Sequence, residues 1–503
     1  MKTAMAAADG PGARRQDHDL PERAFTLDAL SRLIDGTLYD HILNDFEDDY
    51  SSSSEYIGTR HRRPSIRHDW CRIAVEDSVA LLFSESRFPS ITTDDETTND
   101  TLADLVKETS LNALMVNVAT AGSIGTAVML FRALGDPVKG LRVFFSRLDP
   151  RYLTPAWKPQ EPDVLLSVAE AFKIARADLL AAGYAENELA KDVPVFWFQR
   201  LWTEDAEIWY RPQTLEDRKN HKPPIADAKR SVQHKLGFVP LVWIKNLPGG
   251  IEPDGRSSMN PAAISTMIEA DYQLSQAGRG MRYNGEPMLM IKDDGEFQQR
   301  AIVGGSTNAL RVSIEGDAKL LEISGDATAA VLDYVRHLRA SVLEGMRGNR
   351  SDADKLAAAQ SGRAMELMNQ GLIWLADQLR VSYGEGALLS LMRMVIAANA
   401  DRKLLIDGKP IAAGQLNNAG LKLGWNPWYA PTYSDGQAQA ATLVTLRTGG
   451  LLSRETAIEQ ITGPYDIEDV QEEIAAIEAD QAADDARLTA LAAATNASAT
   501  VES

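Results

Sequence analysis

The sequence predicts an α+β fold of about two to four sub-domains, and three observations carry that prediction. Apolar residues recur at helical spacing on both sides of the chain's middle, whereas branched and aromatic residues concentrate between residues 127 and 243. A length of 503 residues exceeds what one hydrophobic core holds. The hydrophobic fraction of 44% and charged fraction of 24% are ordinary globular values, which excludes a disordered, collagen-like or disulfide-built chain.

Residues 1–22 are rich in Ala, Gly and charge and are expected to be disordered, with order beginning near Phe25. Leu30, Leu33, Ile34, Leu38 and Ile42 have helical spacing within 25–46, and the stretch FEDDYSSSSEYIGTRHRRP reads as a polar loop. A helix is expected over 66–83, a loop at TTDDETTND (92–100), and another helix over 102–120, ended at Gly122 and Gly125. In the middle, VPVFWFQRLW, AEIWYRP and GFVPLVWIKN suit a pleated surface, with a helix expected over 163–182. Asn260 and Pro261 start a helix, because proline at the first position gives up an amide that has no partner there, and it should run to about Tyr283.

EPMLMIKDDGEF and NALRVSIEGDAKLLEIS read as short strands with turns at Asp294 and Gly316. A helix over 326–346 follows, striped by Val331, Val335, Leu338 and Val342. Beyond the hydrophilic GNRSDADKLAAAQSG, a long helix starts near Arg363, with Met365, Met368, Leu372, Leu375 and Leu379 at spacings of three and four, and is expected to bend at Gly384 and Gly386. Ile467, Val470, Ile474 and Ile477 form a narrow stripe on an otherwise acidic helix, suited to packing against neighbouring copies. The last ~20 residues, rich in Ala, Thr and Ser, are expected to fray.

The chemistry is mostly excluded. A single cysteine, Cys71, forbids an intramolecular disulfide and reads as a buried structural thiol. The N-terminus lacks a signal peptide's apolar core and no stretch approaches ~20 apolar residues, so a chain neither exported nor embedded is expected. Net charge −19 argues against tight wrapping of nucleic acid and for loose contact, since a wall that repels phosphate does not hold it. No G-x-x-x-x-G-K-[ST] loop is present, which rules out an ATP-driven motor, and AGRGMRYNG at 277–285 reads as helix termination. His61 and His68 lie in RHRRPSIRH without HExxH or paired Cys and His spacing, so neither metal nor cofactor is expected. Arg60, Arg62, Arg63 and Arg67 read as a solvated or intersubunit salt-bridging face, and Asp94, Asp95 and Glu96 as solvated loop. Trp197, Trp202, Trp209 and Trp243 sit in strand-like runs, where packing is expected rather than base stacking. No catalytic constellation emerges, and the chain is read as no enzyme.

The order of elements is carried by FVPLVWIKN, NPAAISTMIEADYQLSQAGRGMRYNGEPMLMI, a small β-insert, ATAAVLDYVRHLRASVLEGM, SGRAMELM and GGLLSRETAIEQI. In that order the chain resembles the portal proteins of tailed bacteriophages, of the SPP1 type, over most of its length. The resemblance implies a portal fold with long stem and wing helices, a small β-rich clip, a mixed α/β wing and a helical crown, assembled as a ring oligomer expected to be a dodecamer.

Carried over by position, it implies a disordered arm at 1–24, wing at 25–260, stem helices at 261–284 and 325–347, clip at 285–324, and tunnel loop at 348–362. Wing again follows at 363–445, then crown at 446–490 and a frayed tail at 491–503. The expected role is a channel at one capsid vertex for packaging and ejecting double-stranded DNA, contacted without regard to sequence. Expected partners are the large terminase subunit, a head-completion adaptor, the major capsid protein and a scaffolding protein, with no membrane.

Asn349, Arg350, Ser351, Asp352, Asp354 and Lys355 are the expected DNA-facing tunnel-loop residues. Lys292, Asp293, Asp294, Glu296 and Arg300 are expected to meet terminase and adaptor, and Val331, Val335, Leu338 and Val342 to pack the stem, so that Val335→Asp should break ring assembly. The competing readings are another oligomeric virion scaffold, such as a capsid or tail-tube component, and a maturation protease or nuclease.

Overall fold

The computed structural model describes residues 22–85, 87–285, 289–292, 309–312, 325–348, 367, 369–426, 428, 433–462 and 470–499. The chain divides into two compact units, Met1–Arg350 with Asn369–Trp428, and Ser351–Met368 with Tyr429–Ser503.

The first unit opens with α1 (Glu22–Ile34). This helix stops well short of residue 46: Gly36 takes a left-handed φ of 70°, and Leu38, Tyr39 and Phe46 are buried from irregular chain instead. Two-residue strands β1 (Asn44–Asp45) and β2 (Arg62–Arg63) pair in parallel. Helix α2 (Trp70–Phe83) begins four residues later than its spacing predicts. Strand β3 (Ser90–Thr92) follows, and then α3 (Glu96–Glu108), which starts inside the stretch expected to be loop. The reason is a cap: Asp95 accepts from the Thr98 amide at 2.9 Å, satisfying one of the free N–H groups of the first turn. Asp95→Ala should therefore weaken the start of α3, read as a small drop in denaturation midpoint. The helix expected over 102–120 is two helices, since Ser110 adopts φ 48° and separates α3 from α4 (Leu111–Gly122).

Strands β4 (Thr126–Asp136) and β5 (Gly140–Leu148) form a hairpin. Strand β6 (Leu153–Lys158) pairs with β7 (Glu161–Ala175), which occupies most of the segment expected to be helical, and only α5 (Arg176–Ala181) is a helix there. A bulge explains the misleading pattern. Ala156 pairs with Ser167 but Trp157 pairs with Leu165, so the facing of side chains flips at Leu166. Val168 is buried on one side of that point and Leu165 is half-buried on the other, and their combined spacing imitates a helix.

Strands β8 (Val195–Trp202) and β9 (Ala206–Trp209), then β10 (Gln213–Thr214), helix α6 (Leu215–Lys219) and β11 (Val232–Gln233) complete a six-stranded sheet of order β11-β9-β8-β7-β6, with β10 also on β8. Strand β12 (Leu241–Lys245) joins a five-stranded sheet of order β12-β4-β5-β15-β16, where β15 is Leu404–Ile406 and β16 Lys409–Ile411. The run AVMLF in β4 is continuously apolar because both faces are covered: Ala127, Met129 and Phe131 enter the main core, while Val128 and Leu130 enter a second core with Val168 and Trp202. All four tryptophans singled out by sequence lie in strands, and Trp202 is fully buried.

Helices α7 (Pro261–Gly285) and α8 (Gly325–Gly345) bracket a parallel pair, β13 (Leu289–Lys292) and β14 (Ala309–Val312). The turns expected at Asp294 and Gly316 lie outside the described residues. Helix α9 (Gln370–Asn399) is long and apolar enough to cross a membrane, although the sequence suggested no such stretch. Its apolar window is 56% buried inside the chain, which marks it as a core helix.

Along α9, Leu375, Leu379, Tyr383, Ala387, Leu391 and Val395 are all buried despite a constant spacing of four. In an α-helix each such step overshoots a full turn by about 40°, a drift of about 200° over the series. Residues Arg380–Leu389 are wound as a π-helix, whose wider turn absorbs the drift. This replaces the bend expected at Gly384 and Gly386. A Cβ at Gly384 would lie 2.6 Å from the Trp425 indole, which rests directly on the helix. Strand β17 (Lys422–Gly424) pairs with β3.

The second unit contains α10 (Tyr433–Thr448), α11 (Arg454–Glu459) and α12 (Val470–Ala499). Val470, Ile474 and Ile477 are half-buried on α12, and Ile467 lies outside the described residues. Helix α12 continues through Ala499, as its alanine-rich sequence favours, and residues 500–503 of the expected frayed tail lie outside the described residues.

Candidate functional site

The pair α7 and α8 is the part of the fold around which a site can be built. Pro261 is the first residue of α7, and the Asn260 side chain accepts from the Ala262 amide at 3.0 Å. The Asn260 amide in turn lies 3.4 Å from the Met346 sulfur, and Gly345 lies beside Ala263, so the end of α8 returns to the start of α7. The two helices therefore run antiparallel. Of the predicted stripe, Val342 is fully buried, Val335 is 8% exposed, and Val331 and Leu338 are half-buried, all in the main core with Ala263, Ile264 and Met267. That stripe packs inside its own chain.

The rest of α8 is open. Leu332 is 46% exposed and Tyr334 48%, and Arg336, His337 and Arg339 are exposed with no ion pair among the described residues.

Along α7 runs a strap formed by residues 39–68. Asp271, fully buried, accepts from the Tyr39 hydroxyl at 2.8 Å and the His68 backbone amide at 3.0 Å, and its carboxylate lies 2.8 Å from His68 Nδ1. Tyr272 donates to the Arg62 carbonyl at 3.0 Å, and Ile66 donates its amide to Ser275 Oγ at 3.0 Å. The arginines expected to be solvated or intersubunit are used within the chain: Arg60 pairs with Glu269, Arg63 with Asp45 and Arg67 with Asp40. Arg62 is only 2% exposed and pairs with Asp49 at 2.6 Å while donating to the Ile57 carbonyl. Arg279 donates to the same Asp49 at 2.8 Å, and Arg282 pairs with Glu47. Local chemistry explains the clustering, since a polar loop reaches a helix face only by pairing the charges it covers.

The electrostatics follow from this packing. Burial pushes the Asp271 carboxyl up to about 6, against the opposing pull of its hydrogen bonds. The Arg279 guanidinium holds Asp49 down at about 2. Burial raises the Cys71 thiol to about 12, which keeps it an inert core group and no nucleophile. Among the described residues no group of three or more His, Cys, Asp or Glu is arranged to hold a metal ion.

Asn349, Arg350, Ser351, Asp352, Asp354 and Lys355 lie outside the described residues, as do Asp293, Asp294, Glu296 and Arg300. Lys292 ends β13. Sequence reasoning missed the strap and Asp271. The available signal was a charged residue at a core position, because Ile264, Met267, Ile268, Asp271 and Ser275 share one helical face.

No curated protein matches the chain. A family model described as phage portal protein, SPP1 Gp6-like, matches residues 15–486, nearly the whole length. Because that match spans nearly the whole sequence, this protein belongs to the SPP1-type phage portal family, whose members are structural components of the virion capsid.

Proposed function

We propose that the chain assembles as a ring, a dodecamer, at one capsid vertex and forms the channel through which double-stranded DNA is packaged and later ejected. One observation carries this reading: an antiparallel helix pair brackets a small β-pair and leaves the outer face of α8 open to a neighbour or a channel. In this reading α7 and α8 are the stem, residues 285–324 the clip that docks the large terminase subunit and then the head-completion adaptor, and 348–362 the loop nearest DNA. Many weak contacts, one set per subunit, guide a duplex without reading its sequence, and a net charge of −19 keeps that hold loose. Motive energy comes from the terminase. The test is negative-stain microscopy of the purified full chain: twelve-fold rings with a central hole are expected, and monomers or long tubes would overturn the proposal.

A further inference from the structure

Two uncovered helix faces in the first unit have matching chemistry. On α9, Trp374 (58% exposed) and Val381 (57%) alternate with exposed Asp377 and Glu385 along one side of the helix. On α8, Leu332, Arg336 and Arg339 follow at spacings of four and three, about 100° round the axis from the buried valine stripe. The α9 face carries two apolar residues and two carboxylates, and the α8 face one leucine and two guanidinium groups. None of the four charges forms an ion pair among the described residues. Both helices already pack on α2 through their other sides, so each face is turned away from the core they share.

We infer that these faces are the two halves of one intersubunit contact, the Trp374 face of one copy seated on the Arg336 face of the next. A head-to-tail contact needs two different surfaces on the same chain, and repetition of such a contact closes a ring when the rotation fits. An exposed tryptophan and valine beside two carboxylates, meeting a leucine beside two guanidinium groups, bury apolar area and pair opposite charge in one contact. The alternative occupant of the basic face is the DNA backbone. The exposed Leu332 beside the arginines and the complementary acidic face on the same chain favour the protein partner. This inference rests on the ring reading above, and the experiment separates the two.

Full-length chains would be compared by native mass spectrometry and negative-stain microscopy: wild type, D377K/E385K, R336E/R339E, and all four substitutions together. All four residues are exposed, and circular dichroism with thermal melting would verify that each variant folds. Either double reversal is expected to lower the fraction assembled into rings by about tenfold or more, and the quadruple variant, which restores opposite charge across the contact, to recover rings. Intact rings in both double variants, or no recovery in the quadruple one, would overturn the pairing. Intact rings in R336E/R339E with weakened DNA binding would assign that face to DNA instead. Wild-type chain that stays monomeric would remove the ring reading itself.

Discussion

Val335→Asp is expected to remove both the rings and the native stability of the isolated subunit. Val335 is 8% exposed in the main core, on the side of α8 that packs into its own chain. An aspartate there loses the apolar burial of the valine and places a carboxyl group among aliphatic neighbours without a cation, a combined cost of about 4 kcal/mol or more. Helical spacing alone predicts the loss of assembly. The packing adds that the fold fails first. Denaturant titration of the subunit should show a large fall in midpoint beside the missing rings in gradient sedimentation, and rings with an unchanged midpoint would contradict both.

The second large effect is expected from Asp271→Ala. The Tyr39 hydroxyl and the His68 amide donate to this carboxylate and the His68 ring lies 2.8 Å from it, so truncation leaves the buried Tyr39 hydroxyl without a partner and breaks the contact that holds His68. At the usual cost of a buried unsatisfied group the loss is about 3 kcal/mol or more, while Tyr39→Phe, which removes one donor, should cost about 1 kcal/mol.

The pH dependence has a definite sign. The folded chain holds the Asp271 proton up to about 6 against an ordinary 3.8, so this group's contribution is fully present below about pH 4 and is lost as pH rises through about 6. Asp49 behaves oppositely: its contribution is present above 3.8 and is lost as pH falls through about 2. The two windows do not overlap. Between pH 4 and 6 the difference in stability between wild type and Asp271→Ala should therefore change, and a constant difference would count against the burial of that charge.

The fold class and the long helices were legible because their signals are local. Proline at the start of α7 and the three-and-four spacing in α8 act within a few residues, and both helices end within three residues of the positions their spacing indicates. The failures came where a distant partner decides the conformation. Strand β7 looked helical because a bulge opposite Trp157 breaks its alternation, and that bulge is a property of the pair β6 and β7. The arginines of RHRRPSIRH looked solvated because their carboxylates, Glu269 and Asp49 among them, are far away in sequence or in the neighbouring loop. Asp95 was misjudged for a smaller reason: a cap is legible only when the helix it starts has been placed, and the threonines after it have weak helical preference.

The π-wound stretch of α9 also sets which insertions and deletions its relatives can carry. Loss of one residue between positions 380 and 389 would remove about 100° of rotation, and rewinding the segment as ordinary α-helix would add back a comparable amount, so the helix beyond it would keep its phase. Leu391 and Val395 would stay in the core and Arg393 would stay exposed. The same deletion elsewhere in α9 has no such slack to absorb it, and sequence alignments of related chains should place one-residue gaps in this segment and not in the flanking turns.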